Sequence, residues 1–253
     1  MTVLQLVDAR AREPLLTLPE RAALHGAPWL AALPPQARQD VLQHGKVSTV
    51  RANERLSPGA CGPALCGLAS GALSVRLAAS DAEVVDYLAP GTWFADASAL
   101  AGDVSPLVLK AHRRATVVSL PAAVVHDLVR RHPCLLAPVL TLGSGLTTRL
   151  LGILDELATC CLKVRLARCL LRLCDVFGVP EREGVRVMLL VHQGELGSLL
   201  RASRQRLNLE LKKLEAAGVV RIEKELLVTD LRALQELAWA DRWPEQAAPA
   251  AVV

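Results

Sequence analysis

The sequence predicts an α+β protein in which short β-strands come first, a long helix follows, and two short helices with a small β-hairpin come last. Three observations favour this fold class. Between Val47 and Pro121, short apolar runs alternate with turn residues, which is typical of a β-roll or barrel. From Val139 to Leu157, apolar residues recur at steps of three and four along one helix face. From His192 to Gly218, two shorter helical patterns flank a tight turn.

Composition sets limits on the class of protein. A chain of 253 residues can form two modest domains, and with 3% aromatic residues their cores must be aliphatic. The uncharged run at residues 133–148 is interrupted by Pro138 and two glycines and is too short to cross a bilayer. The N-terminus lacks a basic segment followed by an apolar run, so no signal peptide is predicted. We expect a cytoplasmic protein with no membrane span.

The first half of the chain predicts a short helical opening followed by a sheet. Residues 1–27 show no strong period and are predicted to be an N-terminal extension. A turn at residues 28–35 and a short helix with the sequence QARQDVLQH open the domain, and residues 121–132 predict another short helix. Alternating or β-branched runs between turn residues predict four strands: Leu73–Leu77, Val84–Leu88, Val108–Ala111 and Thr116–Leu120.

The long helix carries a seam with near-heptad spacing. Such a stripe pairs two helices in a coiled coil, or packs a single helix onto its own domain, and both interpretations remain open at this point. Pairing two copies of the chain would make a homodimer. The predicted interface residues are Val139, Leu142, Leu146, Leu150, Ile153 and Leu157.

The two short helices predict a helix-turn-helix, whose second helix can enter a DNA major groove. Leu207, Leu211 and Leu214 point inward at helical spacing, and Ser203 is a suitable N-cap. Arg can bind guanine and Gln or Asn can bind adenine, so the outer face is suited to reading bases. The candidate DNA-binding residues are Arg204 for direct readout, Gln205 and Asn208 for adjacent bases, and Gln193, Arg206 and Lys212 for phosphates. The alternative is an ordinary solvated helical hairpin.

Positive charge is concentrated in the same part of the chain. The whole chain has a formal charge of +4, whereas residues 160–224 contain thirteen basic and seven acidic residues, a net charge of +6. Neutralising phosphates supplies much of the affinity of a protein for DNA. The charge distribution therefore favours DNA binding over the solvated hairpin.

The remaining patterns complete a DNA-binding domain. Arg165–Leu173 predicts its first helix, which residues 177–180 close. Residues 219–222 and 226–228 predict the two strands of a wing, and a last helix runs from about Asp230 to Trp239. The Ala- and Pro-rich residues 244–253 are predicted to be a disordered tail.

The segment SRQRLNLELKKLEAAGVV, preceded by QGELGSLL, resembles the winged helix-turn-helix of the cyclic-AMP receptor and fumarate-nitrate regulator (Crp/Fnr) family. The order of elements from Pro28 to Leu237 follows the same family pattern. The resemblance implies a β-roll effector domain at residues 28–133, a dimerisation helix at 134–159 and a winged helix-turn-helix domain at 160–243. It also implies a homodimeric transcription regulator that binds double-stranded DNA, with RNA polymerase as a further candidate partner.

Residues 90–102 resemble the family's phosphate cassette for a cyclic nucleotide, but with changes where the chemistry occurs. Ala95-Asp96 replaces the cassette's Gly-Glu pair, Leu107 replaces its phosphate-binding Arg, and Leu150 and Leu151 replace hydroxyl-bearing residues near the adenine. A buried phosphate needs a charged partner or several N–H donors. The candidate effector pocket, Trp93, Phe94, Asp96, Leu107 and Leu150, is therefore expected to have the family's shape without binding cyclic AMP.

Two further departures concern the helix-turn-helix. Family members usually have Gly at the turn position of Arg201, where a positive φ is adopted easily. They often have Arg where Leu209 stands, and a leucine can touch a thymine methyl group but cannot hydrogen-bond guanine. The resemblance therefore implies the fold and not any particular operator sequence.

Two other functional hypotheses remain open on the same fold. One is a haem- or thiol-based sensor, with candidate ligands His25, His44 and His112 or a cysteine. The other is a degenerate member that acts through protein contacts alone. The seven cysteines show no zinc-like spacing and are interpreted mainly as small buried hydrophobes, Cys160-Cys161 at a predicted domain junction being the least ordinary. No nucleophile–base pattern, phosphate loop or metal-ligand spacing is present, so an enzyme is not predicted.

Overall fold

The computed structural model describes residues 16–56 and 64–240, apart from the side chains of residues 80–82 and 146. Two compact units share these residues. The first unit comprises the described residues of Met1–Leu73, Pro90–Ser105 and Leu109–Gly143. The second unit comprises the described residues of Ser74–Ala89, Pro106–Val108 and the chain from Ser144 onward. Most of the predicted extension (residues 1–15), Cys61 and the predicted tail at 244–253 lie outside the described residues.

Three helices open the first unit: α1 (Leu18–His25), α2 (Pro28–Ala31) and α3 (Pro35–His44). Helix α1 lies inside the segment predicted to be an N-terminal extension, and this part of the segment packs into the first unit. Thr17 and Glu20 form a capping box at its start, and Leu24 is fully buried in the core of the unit. One buried leucine in an eight-residue helix gives too weak a period to be detected in the sequence.

The sheet of the β-roll contains five strands. They are β1 (Lys46–Val50), β2 (Leu65–Leu77), β3 (Ser80–Leu88), β4 (Trp93–Ala95) and β5 (Leu107–Leu120), in the order β1-β5-β2-β3 with β4 paired to β2. The predicted strands at residues 108–111 and 116–120 form the single strand β5. Ala111 and Ala115 are both fully buried on the inward face of the sheet, so β5 continues without a break through the basic residues between them.

Trp93 organises the core of the first unit. Its ring meets Trp29 edge-on with centroids 5.2 Å apart, and its indole Nε1–H donates to the backbone carbonyl of Leu24 at 3.2 Å. Helix α4 (Ala97–Ala101) follows strand β4, and helix α5 (Ala122–Arg131) follows β5. The core therefore joins the N-terminal helices to the sheet.

A short 3₁₀ turn at Pro133–Leu135 leads into helix α6 (Leu136–Thr159). Residues 133–159 are long and apolar enough to cross a membrane by length and composition, and 18% of the apolar window is buried. In the C-terminal half of α6, Arg149 pairs with Asp86 at 2.7 Å and Glu156 with Arg172 at 2.9 Å. Burial raises the pKa of Asp86, and the ion pair with Arg149 opposes that shift. This environment favours packing against protein over insertion into lipid.

The C-terminal part of the second unit is a helical domain with a four-stranded sheet. Its elements are α7 (Leu162–Phe177), β6 (Gly178–Glu181), β7 (Gly184–Val187), α8 (Gln193–Leu200), α9 (Arg204–Ala216), β8 (Val220–Ile222), β9 (Leu226–Val228) and α10 (Leu231–Trp239). The sheet order is β6-β7-β9-β8, so the predicted wing hairpin is present. The hairpin of β6 and β7 was not predicted, because residues 177–180 indicated only the end of the first helix of this domain. Pro180 lies on an edge strand, where a missing N–H disturbs the ladder least.

Candidate nucleic-acid interface

The turn between α8 and α9 has the geometry of a helix-turn-helix. Arg201 adopts a left-handed conformation with φ 47° and ψ 47°, at the position where the family resemblance expects glycine. The N–H of Ala202 donates to the carbonyl of Gly197 at 3.0 Å, and a Cβ on Gly197 would lie 3.0 Å from the carbonyl oxygen of Ala202. Ser203 then caps α9 by accepting from the N–H of Arg206. These local constraints fix where α9 begins.

Helix α9 is anchored by its apolar side and exposes its polar side. Leu207, Leu211 and Leu214 are 0%, 4% and 3% exposed, as their spacing predicts. Among the candidate DNA-binding residues of α9, Arg204, Gln205, Arg206 and Lys212 are exposed and Asn208 is half-buried.

Two of the predicted DNA contacts touch each other. The guanidinium Nε–H of Arg204 donates to the side-chain oxygen of Gln193, the first residue of α8, at 3.3 Å. Gln193 is half-buried, so its amide can hold the exposed arginine in one orientation. The pair therefore places a guanidinium group beside an amide at the N-terminal end of α9.

The acidic residues of α9 are engaged with neighbours. Glu210 accepts from the ammonium of Lys213 at 2.8 Å, and Glu215 accepts from the N–H of Ile222 at 3.2 Å. The same helix also exposes an apolar side chain, since Leu209 is 55% exposed. Leu209 is therefore available to the thymine methyl contact that its side chain allows.

The hairpin formed by the end of β2 and by β3 contacts α8, which sequence reasoning did not anticipate. The guanidinium of Arg76 donates to the carboxylate of Glu195 at 3.2 Å, and Glu83 forms an ion pair with Arg201. The side chains of Arg76 and Glu195 are 10% and 21% exposed. The signal in the sequence was Arg76, the one charged residue of β2. Three-dimensional proximity is needed to identify its partner.

The predicted effector-pocket residues have different environments. Trp93 and Phe94 are buried, 5% and 6% exposed, and Trp93 belongs to the core of the first unit. The place of Trp93 in an effector pocket stays a prediction. Asp96 caps α4, accepting from the N–H groups of Ser98 at 2.9 Å and Ala99 at 3.2 Å. Leu107 and Leu150 are half-buried and belong to the second unit.

Part of the predicted dimer seam packs against the chain's own core. Val139 is 5% exposed and lies in the core of the first unit, with Leu142 packed against that core. Val139 therefore has little surface left for a partner, which narrows the predicted interface. Leu150, Ile153 and Leu157 are half-buried, and the side chain of Leu146 is not described. The most exposed leucines on α6 occupy a neighbouring stripe: Leu136, Leu140, Leu151 and Leu154.

The candidate sensor ligands lie in different environments, and His25, Cys134 and Cys161 are exposed. The ring Nδ1 of His44 lies 2.8 Å from the carbonyl oxygen of Asp40, and His112 is half-buried. Burial raises the pKa of the Cys169 thiol to about 11 and also raises that of Cys66, which disfavours the thiolate at both sites. Cys160 accepts a hydrogen bond from Arg168 at 3.2 Å. Within residues 16–56 and 64–240, no three His, Cys, Asp or Glu side chains cluster in a way that could hold a metal.

Comparison with known proteins is consistent with this geometry. Residues 164–237, which run from α7 to α10, match the family model of the Crp-like helix-turn-helix domain. A search of curated proteins by sequence found no match.

Solved structures extend the likeness to most of the chain. TTHA1359, a CRP/FNR-family transcriptional regulator from Thermus thermophilus, is 22% identical, with a TM-score of 0.63 over 78% of this chain and 100% of that chain. FixK2 from Bradyrhizobium japonicum is 16% identical, with a TM-score of 0.65 over 76% and 96%. The c-di-GMP-responsive regulator CLP from Xanthomonas campestris is 22% identical, with a TM-score of 0.60 over 77% and 99%. The chain therefore carries a Crp-like helix-turn-helix domain and has the fold of Crp/Fnr transcription regulators, which confirms the resemblance found in its sequence.

Proposed function

We propose that the protein is a cytoplasmic, homodimeric transcription regulator that binds double-stranded DNA through α9. The observation that carries this proposal is the exposed basic and amide face of α9, on a helix-turn-helix whose apolar side is anchored in the core. Arg204, Gln205 and Lys212 are all exposed on that face. RNA polymerase is the additional partner that an activator of this type would contact.

In the proposed complex, α9 enters the major groove and its N-terminal residues meet base edges. Arg204 binds guanine, since Gln193 orients its guanidinium by accepting from Nε–H. Gln205 and Asn208 contact adjacent bases, and Gln193, Arg206 and Lys212 contact the backbone. A two-fold dimer would require a roughly palindromic site with half-sites about 34 Å apart.

The proposed dimer forms along α6. Exposed leucines on a solvated helix are costly in a monomer and are covered when two such helices pair. Leu140, Leu151 and Leu154 are each at least 60% exposed, which supports an interface on their side of the helix. We place the interface on this stripe together with the half-buried Leu150, Ile153 and Leu157 and leave Val139 out.

The signal that controls the protein is proposed to be something other than cyclic AMP. Asp96 already occupies two N–H groups at the start of α4 that could otherwise bind a phosphate, and its own charge would repel one. Leu107 supplies no positive charge. CLP, which has this fold, is described as responsive to c-di-GMP, and this supports control by an effector other than cyclic AMP.

The hairpin of β2 and β3 offers a route by which a signal could reach the DNA-binding helices. Strand β2 runs from the first unit into the second, where Arg76 binds Glu195 of α8. An effector that prefers one position of this strand would thereby favour one position of α8 and of the turn that follows it.

Binding measurements with matched variants test the proposed DNA contacts. Arg204→Ala should lose discrimination at one base pair by roughly 1–3 kcal/mol per half-site, whereas Lys212→Ala should weaken all sequences alike and reduce the salt dependence. Arg232→Ala is the control, because Arg232 is an exposed arginine of α10 paired with Glu236 and lies outside the proposed interface. Equal losses for Arg204→Ala on every sequence would make Arg204 a phosphate contact.

A further inference from the structure

A cavity of about 600 Å³ lies in the first unit between α1, α3 and β1. Its volume is in the range of small-molecule sites in proteins. It is separate from the predicted effector residues, none of which lines it. It therefore needs an explanation of its own, independent of DNA binding.

The floor of the cavity is apolar. Leu24 is fully buried at its base, and Leu16, Leu42 and Val47 pack against the same core. Pro35 completes the apolar lining. A hydrocarbon chain or ring placed here would be removed from water on one side by the protein core, which favours binding in proportion to the area covered.

The rim of the cavity is basic. Arg21 and His25 from α1 and Arg38 from α3 contribute to the lining, as do the amides of Gln39 and Gln43. Among the residues that the structure describes, no aspartate or glutamate lines the cavity. The electrostatic potential at the opening of the cavity therefore favours binding of an anion.

The two arginines keep their charge available for a ligand. Among the described residues, Arg21 donates to the carbonyl of Leu16 at 3.3 Å and Arg38 to the carbonyl of Leu33 at 3.5 Å, and neither meets a carboxylate. Both arginines still have further N–H donors.

The acidic residues on the same helices are held elsewhere. Glu20 on α1 accepts from Ser70 at 2.6 Å, and this hydrogen bond is the chief reason that its pKa falls to about 2. Asp40 on α3 pairs with His132 at 2.8 Å and with Arg131 at 3.2 Å. The fold thus separates the carboxylates of α1 and α3 from the arginines at the cavity.

We infer that this cavity binds a small organic anion with an apolar body, such as a medium-chain or aromatic carboxylate. The carboxylate lies between Arg21 and Arg38, and the apolar body lies over the half-buried Leu42 and Val47. A charged hydrogen bond at each arginine and apolar burial at the floor both contribute, so neither a simple inorganic anion nor a neutral hydrocarbon satisfies the whole site.

Calorimetric titration of the full-length protein with matched probes tests this inference. Decanoate, below its micelle concentration, and 2-naphthoate are carboxylates with an aliphatic and an aromatic body. Decanol and decyltrimethylammonium keep the ten-carbon chain and replace the carboxylate with a hydroxyl group or a cation. We expect saturable 1:1 binding of at least one carboxylate, at least tenfold weaker binding of decanol, and no binding of the cation.

The double variant Arg21→Gln/Arg38→Gln should weaken carboxylate binding at least tenfold and leave decanol unaffected. Arg51→Gln is the matched control, since Arg51 is an exposed arginine of the first unit outside the cavity. The circular dichroism spectrum of each variant checks that it is folded. The inference is overturned by equal affinity for all three decyl probes, by unchanged carboxylate binding in the double variant, or by the absence of binding for both carboxylates. DNA binding is measured separately, so failure here leaves the proposed regulatory function standing.

Discussion

The ion pair between Arg76 and Glu195 should be one of the stronger polar contacts of the second unit. Its side chains are 10% and 21% exposed, and its N–O distance is 3.2 Å. A charged hydrogen bond that is largely shielded from water contributes about 1.5–3 kcal/mol, whereas exposed pairs contribute far less. Because some solvent reaches Glu195, we expect a coupling energy of about 2 kcal/mol.

A double-mutant cycle isolates this coupling. Arg76→Met keeps the apolar stem of the side chain, and Glu195→Gln keeps an oxygen that can accept from the N–H of His192 in the capping box. The two single variants and the double variant are unfolded in urea and followed by far-ultraviolet circular dichroism, with the transition of the second unit used if two steps appear. The single variants should each lose stability, and the double variant should recover part of the loss.

The exposed pair Arg232–Glu236 on α10 provides a matched control cycle. Its side chains are 88% and 70% exposed, so its coupling should stay within about 0.5 kcal/mol. A coupling between Arg76 and Glu195 that is as small as the control would refute the idea that the hairpin holds α8 through this contact.

Three further predictions follow from single features of the fold. Arg201→Val should lower the free energy of unfolding in urea by at least about 2 kcal/mol, because a β-branched residue resists a positive φ. Arg201→Gly should stay within about 1 kcal/mol of the parent, because glycine adopts a positive φ easily. Equal effects of the two variants would mean that the left-handed turn is not maintained. Glu20 has a pKa lowered from 4.5 to about 2, so its carboxylate stabilises the fold above pH 4.5 and loses that effect as the pH falls toward 2. Glu20→Gln should accordingly flatten the pH dependence of the melting temperature in that window, and an unaltered slope would contradict the assignment. Leu151→Glu combined with Leu154→Glu should yield monomers in sedimentation equilibrium, while an unchanged dimer would move the interface away from this stripe of α6.

The local parts of the DNA-binding domain were predictable because short-range physics determines them. Leucine spacing defined α9, Ser203 marked its cap, and two short apolar runs at residues 219–222 and 226–228 defined the wing hairpin. The left-handed conformation of Arg201 also agrees with the glycine that the resemblance expects at this position. Each of these features depends on residues within a few positions of one another.

Features that depend on distant residues were missed. Val139 has seam spacing, yet it packs into the core beside strands that a one-dimensional pattern cannot place. Trp93 resembles a pocket residue within the cassette, but its indole donates to the carbonyl of Leu24 on α1, 69 positions away. The contact between Arg76 and Glu195 spans 119 positions and joins two segments with unrelated patterns. Periodicity reports which face of an element is apolar and not what covers that face.

The most direct test of the proposed regulator is the selection of DNA fragments from a random pool by the purified full-length protein, followed by sequencing. If two subunits each place α9 in a major groove, the selected fragments will share a two-fold symmetric site with half-site centres one helical turn apart, and Arg204→Ala will relax one base-pair position in each half. If the pool is retained without any enriched sequence, or the enriched site lacks two-fold symmetry, then the proposal of a sequence-specific, homodimeric regulator is wrong.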